Sequence, residues 1–143
     1  MRNSKLLFWI SLFIFLGSLI LLVTGSELLL FKIIDDPTVP LGSLTTTLGF
    51  LSLTFIVSYI VFRTSQSKHW NRFFYGMLSF SFILSLFWLP LGRYLSGNWS
   101  NSFINRPDES LFFWNYTYFT VSFPLGILLL FAFKQLWMRM AKK

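Results

Sequence analysis

A chain of 143 residues that is 55% hydrophobic, 21% aromatic and only 12% charged carries about half the charge a soluble domain needs on its water-facing surface. The mean hydropathy of +0.64 excludes intrinsic disorder, and the absence of cysteine excludes disulfides, thiolate metal sites and thiol catalysis together. What remains is an integral membrane protein.

A hydrocarbon core about 30 Å thick takes roughly 17–25 apolar residues per helix. Four stretches meet that length, over residues 6–24, 41–62, 73–91 and 111–133, and none contains Lys, Arg, Asp, Glu or His. Their apolar runs are continuous and do not alternate with period two, which excludes a β-barrel. The first stretch follows Arg2 and Lys5 as a signal peptide would, but it exceeds the roughly 7–15 apolar residues of a signal, so a retained helix is expected. The predicted fold is therefore all-α: one membrane domain, residues 1–143, folded as an up-down-up-down four-transmembrane-helix bundle with short loops.

The net charge of +7 sorts by segment. Arg2 and Lys5 precede the first span; the first loop carries Lys32 with Glu27, Asp35 and Asp36; the second carries Arg63, Lys68 and Arg72 with no acid. The third loop balances Arg93 and Arg106 against Asp108 and Glu109, and the tail carries Lys134, Arg139, Lys142 and Lys143. An excess of Lys and Arg marks cytoplasmic segments, so both termini and the second loop are expected in the cytoplasm. The location expected is a bacterial inner or plasma membrane, and the basic charge is an orientation signal that implies no nucleic-acid partner.

In the first loop, Ser26 reads as an N-cap and Glu27 complements the helix dipole, so residues 27–34 read either as a short interfacial helix or as a last turn of the first span. Asp35-Asp36-Pro37 reads as a solvated turn, because no neighbouring acid completes the six to eight oxygens calcium needs. Asn98-Trp99-Ser100 matches a glycosylation acceptor on the outward side, a pattern that matters only in a eukaryotic secretory pathway. His69 is the single histidine, so two histidines of this chain cannot hold a haem, and no metal-ligand cluster or cofactor motif is present.

No ionisable group lies at mid-membrane depth, which argues against a proton-coupled pump or a voltage sensor. The spans carry small and hydroxyl residues at helical spacing instead. Ser11, Ser18 and Gly25 lie seven apart, Thr54 and Ser58 four apart, Ser81 and Ser85 four apart, and Gly126 follows Ser122 by four. Such rows let membrane helices approach closely, and these residues are expected to pack helices. The fourth span is the most polar. Its Asn115, Tyr118 and Ser122 share one helix face and form the candidate face for a neighbouring helix, a quinone carbonyl or a lipid headgroup. Pro124 removes one backbone hydrogen bond from this helix.

General acid–base chemistry has almost no groups to use here. An enzyme would have to employ Asp35, Asp36, Asp108 or Glu109, whose spacing suggests no such role. The expected function is non-enzymatic: an accessory or structural subunit, with no cofactor, packed in the bilayer against other membrane protein subunits. The alternative is a small homo-oligomeric transporter or a lipid- or quinone-binding module.

Overall fold

The computed structural model describes residues 2–34, 39–64, 67–98 and 103–141. Asp35, Asp36 and Pro37, Trp99 and Ser100 of the acceptor pattern, and Lys142 and Lys143 lie outside them. Four helices carry the fold: α1 (Arg2–Val23), α2 (Leu41–Arg63), α3 (Lys68–Ser96) and α4 (Pro107–Met140). All four are long and apolar enough to cross a membrane.

Their ends follow local chemistry. Gly25 has φ +59°, and its N–H donates to Leu22 O (3.3 Å) while that of Ser26 donates to Leu21 O (3.2 Å). This left-handed glycine cap closes α1 and satisfies two carbonyls that the helix end leaves open. Gly97, at φ +72°, closes α3 in the same way, donating to Arg93 O at 2.9 Å. The Arg106 guanidinium donates to Leu95 O at 3.0 Å, placing a cation at the negative end of the α3 dipole. Pro107 opens α4 at a position where a missing N–H costs nothing, with Asp108 and Glu109 at the positive end of its dipole.

Between α1 and α2 the expected helix over residues 27–34 is replaced by two shorter elements. A 3-10 turn spans Glu27–Leu30, capped by the Ser26 hydroxyl, which accepts from the Leu28 N–H at 3.3 Å. The chain then extends as β1 (Lys32–Ile34), which pairs antiparallel with β2 (Val39–Pro40). Two adjacent β-branched residues, Ile33 and Ile34, favour the extended form. The Leu41 N–H donates to Phe31 O at 2.8 Å and ties the first residue of α2 to this hairpin.

Consecutive helices run antiparallel. Phe8 of α1 stacks on Tyr59 of α2, and Ser18 lies opposite Gly49. Thr54 of α2 meets Ser81 of α3, and Trp88 of α3 meets Thr117 of α4. The helices do not close into a symmetric four-helix square. Among the described residues, α2 is the helix that packs extensively against all three others, and α1 rests on α2 beside the α2–α3–α4 unit. The core sits where α2, α3 and α4 converge: Leu53, Val57 and Val61 meet Phe74 and Leu78, and Ile127 and Phe131 close the layer. Val61, Phe74 and Ile127 are fully buried there.

Candidate functional site

The polar side chains inside the apolar helices divide into joints between helices and the lining of a groove. At the first joint the Thr54 and Ser81 hydroxyls lie 2.9 Å apart, and Ser85 donates to Ser81 O at 3.0 Å. Thr54 also donates to its own helix at Phe50 O (3.2 Å), so the cluster is satisfied internally. At the second joint the indole Nε1 of Trp88 donates to the Thr117 hydroxyl at 2.9 Å, and that hydroxyl donates in turn to Phe113 O at 2.8 Å. A third bond joins the same two helices, from the Tyr116 hydroxyl to Leu84 O at 2.7 Å. Each joint places a donor against an acceptor where the alternative is an unsatisfied polar group in an apolar medium.

The α1–α2 seam is built differently. Ser11 and Ser18 are buried on α1. A Cβ placed on Gly49 would sit 3.2 Å from the Ser18 Cβ, so the two backbones approach as closely as the missing side chain permits. Among the described residues, no side-chain hydrogen bond joins residues 8–23 of α1 to α2.

Of the small residues read from the sequence, Ser11, Ser18, Thr54, Ser81 and Ser85 thus lie at helix contacts. Ser58 is half-buried and lines a cleft between α1 and α2. Gly25 and Gly126 do not belong with them. A Cβ on either would meet nothing within 4 Å, and Gly25 serves the turn that ends α1. Seven-residue spacing brought Gly25 into line with Ser18, but α1 stops two residues before it. The close approaches fall instead at Gly49 and at Gly42, whose added Cβ would lie 3.1 Å from Leu29 O. Spacing within one helix does not reveal which side of it a neighbour occupies, so these two were missed.

The groove lies between α1 and α4, which flank α2 without meeting at this end. It has a volume of about 780 Å³. Its floor is the first half of α2, through Gly42, Ser43, Thr46 and Phe50, with Trp88 of α3 behind. One wall is Leu22 of α1 with Leu29 and Leu30 of the 3-10 turn, and the other is α4 from Phe113 to Leu125. The hydroxyls on it are turned to their own backbones: Thr46 donates to Gly42 O (2.8 Å) and Ser122 to Tyr118 O (2.8 Å). The lining is therefore largely apolar, with the Tyr118 phenol and the Trp114 indole as further polar groups on its α4 wall.

Tyr118 and Ser122 both line this groove, whereas Asn115 does not. On a helix of 3.6 residues per turn Asn115 lies about a quarter-turn from the centre of the α4 wall, and it is exposed. The three residues share a broad face, but the groove takes only part of it. Tyr118 stays 67% exposed, so its ring forms the rim and not the floor. At the opposite end, Lys134 is buried, with its ammonium 5.1 Å from the centroid of the Trp70 ring and 5.9 Å from that of Phe74. Among the described residues no three of His, Cys, Asp and Glu gather as a metal site would require.

Comparison with protein-family models, with curated proteins and with solved structures finds no match to this chain.

Proposed function

We propose that this chain is a multi-pass membrane protein with both termini in the cytoplasm, and that it acts without catalysis as an accessory subunit seated against a larger membrane protein. The observation that carries this reading is the groove between α1 and α4. Tyr118 and Leu125 stand exposed on its α4 wall above a floor of small buried residues, Ser43 and Thr46, in a gap that this chain's own helices do not fill. An apolar helix from a partner, or a row of its side chains, fits such a gap by contact alone. The positive-inside bias supports the orientation, with nine of the 12 Lys and Arg residues falling on the segments assigned to the cytoplasm.

A photo-crosslinking residue at Val121 or Thr46, in cells, tests the seat. The expected outcome is one stoichiometric adduct with another membrane protein, and the same partner on native gels after mild detergent. Adducts with lipid only, together with a monodisperse isolated chain, would overturn it. Because the chain has no native cysteine, single cysteines report orientation cleanly. Ser67→Cys is expected to label only from the cytoplasmic side, and Asn105→Cys only from the other.

A second reading rests on Tyr118, whose phenol stands at the rim of an apolar groove. The groove then holds a quinone or lipid tail, with the phenol at the carbonyl or ester. Tyr118→Phe lowers retention of such a ligand in this reading, and Asn115→Leu leaves it unchanged.

A further inference from the structure

At the end of the molecule opposite the groove, two clefts open on either side of one aromatic stack. Phe8 of α1 and Tyr59 of α2 face each other with ring centroids 4.6 Å apart. One turn further out along each antiparallel helix lie Lys5 and Arg63, and Lys5, Phe8, Tyr59 and Arg63 line both clefts. The first cleft, of about 360 Å³, continues down to Phe55 and Phe62; the second, of about 740 Å³, continues to Ile60 and Phe131. The first is a largely apolar channel, and the same two cations belong to the lining of both.

Among the described residues no Asp or Glu lies at this end. The five acidic residues fall in sequence between α1 and α2 or in the first turn of α4, and α1 opens with none in its first turn, so the positive end of its dipole adds to Lys5. We infer that this corner binds an anionic phospholipid: the phosphate lies between Lys5 and Arg63, and an acyl chain follows the Phe55–Phe62 cleft. Guanidinium and ammonium donors match the phosphate oxygens. A soluble phosphate would satisfy the cations and leave the aromatic channel unused, so the lipid is the occupant that uses both halves of the site. The inference rests on the membrane reading above but not on the accessory role.

The test uses the full chain purified in neutral detergent and exchanged into nanodiscs containing phosphatidylglycerol and phosphatidylcholine, with retained lipid counted by native mass spectrometry. Each cation near an anionic headgroup contributes about fivefold, so a preference of about 25-fold for phosphatidylglycerol is expected. Lys5→Gln with Arg63→Gln should bring it near parity, while Lys68→Gln with Arg72→Gln, which removes the same charge from the start of α3, should preserve most of it. Phe62→Ala should weaken retention without changing charge, and it carries the test if the double variant loses its helical circular dichroism. Equal loss in both double variants would mean diffuse surface attraction and would overturn the site. So would glycerol phosphate competing as well as the lipid. Flotation separates the two levels of the argument. A chain that floats with phosphatidylcholine vesicles after alkaline washing, yet shows no anionic preference, refutes this inference alone; one that stays in the aqueous phase refutes the membrane reading.

Discussion

The seam between α3 and α4 and the seam between α1 and α2 join apolar helices by different means. The first is fastened by directional bonds, Trp88 to Thr117 and Tyr116 to Leu84, and surrounded by ring contacts such as Phe74 with Phe131 at 5.9 Å. The second depends on how near two backbones can come, at Ser18 and Gly49. Directional bonds fix rotation and depth of one helix on another. Close approach gains only dispersion, and it tolerates rotation as long as the small side chains stay opposed. Inside one chain, then, α2, α3 and α4 form a specified unit, and α1 is an attached strut.

Substitutions can break either seam separately. The largest effect is expected for Trp88→Ala, which removes the indole bond and the ring contacts with Phe50 and Phe113 at 5.6 and 5.1 Å. A loss of about 3–5 kcal/mol is expected, read as a collapse of the unfolding midpoint in detergent. Gly49→Leu comes next. The added side chain pushes α1 away at a cost of about 1–3 kcal/mol. A disulfide between Phe8→Cys and Tyr59→Cys should then fail to form, while a Thr54→Cys/Ser81→Cys pair still closes. Loss of both cross-links would show that the seams are coupled and sink the distinction.

Gly25→Ala forces a Cβ into the left-handed region and is expected to cost about 1–2 kcal/mol, confined to the end of α1. Hydrogen exchange should show fraying at residues 20–26 and no change in α3. Ser81→Ala should have the smallest effect, about 0.6 kcal/mol and no more than about 1.7, because Thr54 keeps its bond to Phe50 O. Thermal unfolding in detergent checks it, and a shift as large as that of Trp88→Ala would mean that the Thr54–Ser81 contact anchors the unit.

The number and course of the helices were legible because length and uninterrupted hydropathy are properties of a segment. Helix ends were less legible: the stretches 73–91 and 111–133 read from hydropathy are the apolar middles of α3 (Lys68–Ser96) and α4 (Pro107–Met140), whose polar ends carry no such signal. The sequence also suggested the hydroxyl residues as contacts, and Thr54, Ser81 and Ser85 lie at one. Their pairing was not legible, since nothing in Thr54 indicates that Ser81 lies across from it. The Trp88–Thr117 and Tyr116–Leu84 bonds were hidden for the same reason: an aromatic residue in a span reads as bulk until its partner is known. The groove was the least legible feature. It arises from two helices failing to meet over a third, a relation among three segments that no single one encodes.

Lys134 bears on a different question, where α4 stops sinking. At 34 residues the helix is about 51 Å long at 1.5 Å per residue, well beyond a hydrocarbon layer of about 30 Å, so its length alone does not set its depth. In the membrane reading proposed above, the ammonium held over Trp70 would do so. A slide of one turn toward the bilayer centre would carry the charge about 5.4 Å into hydrocarbon and away from the ring, whereas a slide outward would expose the Phe131 layer to headgroups. If the four helices span a bilayer as proposed, the Lys134–Trp70 pair would act as a depth gauge for α4.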